Sequence, residues 1–321
     1  MNIVFFQSNG FDYLTSQITE GLHLLSQKDN SIELKALFAN THHGADVEDL
    51  QTVTEQEAID NINWADLILF SSGGNMTCFG EDTQTVFCDP THRCKRVFID
   101  GHDSDGLLAD PGEQLVYFKR ECRPKTFHLY SSGNIRSLTF GVYQYLLDAL
   151  DWHNNLDDDW DKRDVDISFM AFGGSNPTRP QCAAALKAAS EEHGLNVEVH
   201  VADDCQPVEI DRYHEILYRS KIGMSLPGAG LDTLRFWEVP AHGAILSSFD
   251  MCGQLIMRNQ FEGMRHCLYF QSWQAMVELA RQVVSDKRRW CYMRGAADRC
   301  VHQHSTMHRA QEMLDVCAEM L

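Results

Sequence analysis

Basic residues are scarce in this chain of 321 residues: 27 Lys and Arg stand against 46 Asp and Glu, a formal net charge of −19. A polyanion partner needs clustered Lys and Arg to displace counterions, and no such cluster occurs. No nucleic acid and no anionic membrane is therefore expected as a partner, although a local basic pocket for a small phosphate stays open. Long apolar runs are missing as well. No stretch approaches the roughly eighteen residues of a membrane span, so no integral membrane segment is expected. The opening "MNIVFFQSNGFDYL" has neither a basic n-region nor a small-residue cleavage site. It reads as a first core strand, and a cytoplasmic protein is the expectation. The 11 cysteines form no CxxC pair, which favours reduced, buried thiols over a disulfide frame. A GxSxG elbow and a Ser-His-Asp order are also lacking.

What is present is ample core material. Hydrophobic residues make up 44% and charged residues 23%, ordinary values for a globular chain long enough for two domains. The first half alternates apolar strand-like runs with helical spacing. "NIVFFQ" (2–7), 32–38, 65–72 and 95–100 read as strands, and Leu14, Ile18, Leu22 and Leu25 set a helix over 12–26. Residues 115–121 and 126–131 are shorter strand candidates. Continuous apolar strands separated by helices indicate parallel βαβ units with helices on both faces. The acidic "DWHNNLDDDWDKRD" (151–164) breaks the rhythm and reads as a surface connection at a domain boundary. The pattern then restarts, with strands at 165–174, 196–202, 221–226 and 244–249. Helices are expected at 178–193, 211–220, 232–242, 273–285 and 303–321. The fold class is thus α/β, with domains at 1–155 and 163–300 and a final helix over 301–321 that packs at the domain junction or crosses back. Ligands of open parallel sheets lie beyond the carboxyl ends of strands, so a cleft between the halves is the default site.

The stretch "LPGAGLDTLRFWEVPAHGAILSSFD" (226–250) carries the most chemistry. Strand, glycines and a helix beginning near Asp232 and Thr233 would place backbone N–H groups and a positive dipole end where an anion can sit. Gly228 and Gly230 leave room for close approach. Asp232, Arg235 and Glu238 are spaced i, i+3, i+6 along one helix face, while Leu234, Trp237 and Ala241 follow a core face. An ionised Glu accepts from both hydroxyls of a vicinal diol such as a ribose. The bland alternative is a strand-to-helix turn with ordinary packing. Arg179 in "FGGSNPTRP" stands at a helix start, where the dipole prefers acids, which favours contact with a diphosphate.

The run "GLDTLRFWEVPAHGAILSSF" resembles the nucleotide-sugar signature of GT-B glycosyltransferases, group-1-like proteins that include the CgeB-type spore maturation family. "LYF" (268–270) and "HSTMHRA" (304–310) look like that family's closing strand and helix, and "DGHDSD", "YFKRE" and "SLTFGV" resemble segments of related proteins. The resemblance implies two Rossmann-like domains facing a cleft. It also implies an enzyme that moves a sugar from a nucleoside-diphosphate sugar to a hydroxyl acceptor, without a cofactor or a required divalent metal. Glu238 falls where the family places its ribose ligand. Gly228, Gly230, Asp232 and Thr233 would cradle the diphosphate, assisted by Arg235 or Arg179. Many retaining members carry a second Glu eight positions earlier; here that position is Gly230, with Asp232 nearby as a stand-in.

"FIDGHDSDG" ends a strand with Asp103-Ser104-Asp105, either a solvated turn or a pair suited to a divalent cation. Its preferred reading is a loop in which Asp100, His102 or Asp103 positions or deprotonates the acceptor hydroxyl. Lys119 and Arg120 either face an anion or snorkel. Cys88, His92 and Cys94, and likewise His302, His304 and His308, lack the spacing of common metal sites and read as structural or solvated. A nucleotide-sugar epimerase and a non-catalytic nucleotide-sugar-binding protein are the alternatives on the same fold.

Overall fold

The computed structural model describes residues 1–7, 12–38, 51–71, 81–89, 95–104, 106–108, 115–124, 134–150, 156–202, 208–250 and 254–320. Two compact units divide the chain, Met1–Phe140 with Thr306–Leu321, and Gly141–Ser305. The sequence boundaries were 155, 163 and 301; the structure draws them at 140 and 305.

The first unit holds a seven-stranded sheet built from β1 (Asn2–Gln7), β2 (Glu33–Phe38), β3 (Gln51–Thr52), β4 (Leu67–Ser71), β5 (Lys95–Asp100), β6 (Leu115–Lys119) and β7 (Ile135–Ser137). The order is β3-β2-β1-β4-β5-β6-β7, and every pairing is parallel. All five residues of β4 are buried, as a parallel strand covered on both faces requires. The helices Tyr13–Lys28, Glu55–Trp64 and Glu81–Cys88 make the crossovers. Thr54 and Glu57 start the second of these with a reciprocal capping box. The helix Thr306–Met320 returns to this unit and lies on Tyr13–Lys28. Gly21 permits that contact, because a Cβ there would overlap the Thr306 carbonyl, and the Thr306 hydroxyl donates to Glu20 at 2.5 Å. The candidate strand 126–131 lies outside the described residues. Three-residue β7 escaped the sequence because so short a run carries no periodicity.

The second unit holds β8 (Val165–Phe172), β9 (Val197–Ala202), β10 (Ser220–Met224), β11 (Ile245–Phe249) and β12 (Cys267–Phe270). They form a parallel sheet in the order β12-β11-β10-β8-β9. The chain leaves β8 for β9 on one side and reaches β10 on the other, so the topological switch point lies between the ends of β8 and β10. The expected helix at 178–193 is present as Thr178–His193. Two corrections concern the rest. Leu156–Lys162 is a helix and not merely a surface connection: Trp160 meets Trp290 edge-on at 5.4 Å, and Asp159 and Arg163 are buried. A further helix, Lys287–Val301, was not anticipated; its charged surface hides a core face of Trp290, Met293, Ala297 and Val301.

Arg163 knits this unit together. It donates to the Leu217, Ser220 and His242 carbonyls at 3.3, 2.6 and 2.9 Å and to Asp159 at 3.0 Å. Gly243, at φ +75°, lies against Arg163 and Arg294; a Cβ would come within 2.6 Å of both. Left-handed backbone and lack of space each demand glycine at that turn.

Candidate functional site

The site is built where β8 and β10 end. Beyond β8, Gly173–Ser175 forms a 3-10 turn and Asn176 accepts from the Thr178 amide and hydroxyl at 3.0 and 2.8 Å, starting the helix Thr178–His193. Arg179, the second helical residue, is only 7% exposed. Its Nε donates to the Pro227 carbonyl at 3.0 Å and its Nη1 to the Phe172 carbonyl at 2.9 Å and the Ser175 hydroxyl at 2.6 Å. Its Nη2 reaches the Leu226 carbonyl at 3.3 Å. One guanidinium thus ties both sides of the switch point. Burial, and then the charge of Arg235, lower its pKa to about 10. Four of its five N–H donors are used, leaving one on Nη2. Gly228 lies directly over that nitrogen: a Cβ there would stand 2.9 Å from it.

The glycine loop is more tightly closed than expected. The Gly228 amide donates to the Gly230 carbonyl at 2.9 Å, and the Gly228 carbonyl accepts from Asn176 Nδ2 at 3.2 Å. Gly228 therefore offers space, and its amide is not a free anion donor. The helix runs from Leu234 to Ala241, two residues later than the sequence suggested. Thr233 is its N-cap residue, but its hydroxyl pairs with Ser225 at 3.0 Å, and no side chain caps the first turn. Asp232 consequently precedes the helix and does not share a face with Arg235 and Glu238. It is buried, and its Oδ1 accepts from Trp237 Nε1 at 2.8 Å. This fixes the core tryptophan and turns the carboxylate inward.

Arg235 and Glu238 do meet, over Tyr213 of the helix Ile210–Arg219. The Arg235 guanidinium lies 5.7 Å from the Tyr213 ring centre, and its buried Nε has no hydrogen-bond partner. The Tyr213 hydroxyl donates to Glu238 Oε2 at 2.6 Å. Neither Arg179 nor Arg235 forms an ion pair with a carboxylate among the described residues. Tyr213 was not legible, because 25 residues separate it from Glu238 and no motif links them.

His242 closes the helix. Its Nδ1–H donates to the Glu238 carbonyl at 2.7 Å, which leaves Nε2 to accept from His214 Nδ1 at 2.7 Å. Burial lowers its pKa to about 3, with His214 and Arg163 adding to the effect and the Glu238 carbonyl opposing it. Unfolded chains protonate this imidazole as pH falls through about 6.5, whereas the folded chain keeps it neutral. Stability is therefore lost on acidification below that value. Between pH 6.5 and 4.5 the expected loss is about 2 kcal/mol. Urea unfolding at the two pH values checks it: the acid loss should shrink in His242→Asn, and an unchanged loss excludes the histidine as its source.

In the first unit, Asp100 ends β5 fully buried. It accepts from Tyr117, from Lys119 at 3.0 Å and from the His102 amide at 3.0 Å. So enclosed a carboxylate shapes the loop, where the sequence reading offered it to an acceptor hydroxyl. Asp103 is held by Arg120. His102 is exposed, its Nδ1 3.3 Å from the Ser104 hydroxyl. Lys119 and Arg120 thus both pair internally. Asp105, His92 and Cys94 lie outside the described residues. Cys88 is exposed, while His304 is buried against Trp237 and Phe261 with Nε2 2.9 Å from the Asn259 carbonyl. Among the described residues no helix is long and apolar enough to cross a membrane.

Residues 179–315 match the model of a family described as glycosyl transferase-like. In fold the chain is similar to an alpha-glucosyltransferase (AGT) solved with UDP, at 13% identity, TM-score 0.69 and coverage of 99% of this chain and 100% of that one. A structure of alpha-glucosyltransferase with UDP-glucose and DNA containing an abasic site matches at 12% identity, TM-score 0.68 and 99% of both chains. Anabaena Alr3699/HepE, solved with UDP, matches at 10% identity, TM-score 0.56, 99% of this chain and 100% of that one. No curated protein matches. The fold is thus that of two-domain GT-B glycosyltransferases, and residues 179–315 carry a glycosyl transferase-like sequence. That sequence covers most of the second unit and runs on into the helix Thr306–Met320.

Proposed function

We propose that the second unit binds a UDP-sugar, with the diphosphate at Arg179 and Arg235 over Gly228 and the ribose at Glu238, and that transfer to a hydroxyl acceptor needs no divalent metal. The observation that carries this is the pair of cations at the switch point. Arg179 is buried, the half-buried Arg235 has an unpartnered Nε, and among the described residues neither forms an ion pair with a carboxylate. Buried charge without a counter-ion is unfavourable, so an anionic ligand there is strongly favoured. The same two cations stabilise negative charge on a departing diphosphate, which is the main catalytic task and the one a metal would otherwise perform. UDP in the neighbouring structures supports uridine as the nucleoside. Gly230 lends close backbone approach, and the uncapped first turn after Thr233 adds N–H donors. Asp232 serves the site through Trp237 and not by touching the donor.

In the first unit His102 is the group best placed to take the acceptor proton, since Asp100 and Asp103 are both engaged. The charge of −19 favours an acceptor other than a polyanion; the DNA in the alpha-glucosyltransferase structures belongs to that enzyme.

One experiment tests both parts. Nucleotides and nucleotide sugars are screened by thermal shift, with Mg²⁺ or EDTA, on wild type, Glu238→Ala and His102→Ala. A ligand at a hundred times its Kd stabilises by about 2.7 kcal/mol. UDP should stabilise wild type and His102→Ala equally, with or without metal, and Glu238→Ala far less. His102→Ala should bind UDP normally yet lose transfer from the stabilising donor. Absence of any nucleotide effect on wild type removes the donor site, and a strict Mg²⁺ requirement removes the metal-free reading.

A further inference from the structure

Glu238 is held at three points, one of them, Tyr213, from outside its own signature-like run. Its carbonyl accepts from the His242 amide at 3.0 Å and from His242 Nδ1 at 2.7 Å, and its carboxylate from Tyr213 at 2.6 Å. The terminal torsion of a free glutamate is broad and roughly two-fold, so an unsupported carboxylate presents no fixed acceptor direction. Tyr213 removes that freedom, and its own ring is fixed in turn. His214 and His242 meet it edge-on at 5.6 and 6.4 Å, and the Arg235 guanidinium covers it.

We propose that Tyr213 is a positioning residue that sets ribose recognition: by occupying Glu238 Oε2 it aims Oε1 at the sugar and makes the enzyme distinguish ribonucleotides from deoxyribonucleotides. The proposal rests on Glu238 as the ribose ligand. Burial, followed by the Glu238 charge, drives the phenol well above its ordinary 10, so it remains a donor at every working pH. A carboxylate whose second oxygen is already satisfied loses little by dedicating the first to the diol. A site built to bond a hydroxyl rejects the analogue lacking it, because its own polar group is then left unpaired. A merely structural tyrosine would support the helix pair without affecting this discrimination.

The test measures UDP, 2′-deoxy-UDP and 3′-deoxy-UDP by titration calorimetry on wild type, Tyr213→Phe, Glu238→Ala and the double variant. Wild type should prefer UDP over the weaker deoxy analogue by about tenfold or more, the worth of one charge-assisted hydrogen bond. Tyr213→Phe keeps the ring and should cut that ratio below about threefold, with the deoxy analogues binding within about twofold of wild type. The double variant should match Glu238→Ala, as coupled residues do. If all three nucleotides weaken in parallel in Tyr213→Phe, or its ratio stays at the wild-type value while Glu238→Ala loses it, Tyr213 has no positioning role and the ribose ligand stands. If Glu238→Ala itself keeps the wild-type ratio, the ribose reading fails first and the proposal with it.

Discussion

Arg179→Ala is expected to raise the Kd for UDP about a hundredfold and to lower stability by about 3 kcal/mol. Both effects follow from one side chain. Its donors reach the carbonyls of Phe172, Leu226 and Pro227 and the hydroxyl of Ser175, so its loss leaves acceptors unpaired at the ends of β8 and β10. The charge it removes is the buried one beside Arg235, against which a diphosphate would sit. Arg179→Lys should rescue neither property, because a compact ammonium cannot span acceptors arranged for a planar fork. Uridine supplies the control. It lacks phosphate, so its affinity should fall much less than that of UDP in the same variant. Equal losses for uridine and UDP would make Arg179 a loop anchor with no direct part in diphosphate binding. Wild-type affinity in Arg179→Lys would exclude the fork geometry.

Much of this could be read from the chain alone, and the failures share a cause. Parallel strands such as β4 and β8 are continuous apolar runs, and the alternation with helices shows in the sequence as a local signal. The helical spacing within 226–250 placed Arg235 and Glu238 on one face, and Arg179 drew attention because a cation at a helix start is locally unfavourable. Asp232 was misplaced because one turn of spacing was extended backwards past the N-cap at Thr233; its bond to Trp237 is a tertiary fact with no local trace. Asp100 was read as one of three loop residues acting on the acceptor hydroxyl, yet Lys119 and Tyr117 of the adjacent strand enclose it. Tyr213 and His214 reach Glu238 and His242 only because β10 sets their two helices side by side. The acidic stretch at 151–164 misled most. Its composition is that of a surface loop, but Asp159, Trp160 and Arg163 turn inward, and a seven-residue helix is too short for its pattern to stand out.

That same stretch carries the largest expected loss of stability. Asp159→Ala should destabilise the second unit by about 3–5 kcal/mol, the cost of removing one partner from a buried ion pair. Asp159 accepts from Arg163 Nε at 3.0 Å and lies 3.8 Å from Arg294 Nε, and both guanidiniums are about 1% exposed. Without the carboxylate, two buried cations face each other across Gly243. For a unit of this size the corresponding fall in Tm is about 10 °C. The consequence extends to the candidate site, because Arg163 also holds the His242 carbonyl at the end of the helix that bears Glu238. UDP affinity should therefore drop in Asp159→Ala even where the protein remains folded. Adding Arg294→Met, which leaves Arg163 without a neighbouring cation and gives up the 3.7 Å pair of Arg294 with Asp298, should recover part of the lost Tm, a coupling that independent sites would not show. If the double variant melts at the sum of the two single losses, the buried charge balance is not what Asp159 supplies. In that case the link from this helix to Glu238 runs through packing of Trp160 on Trp290 instead.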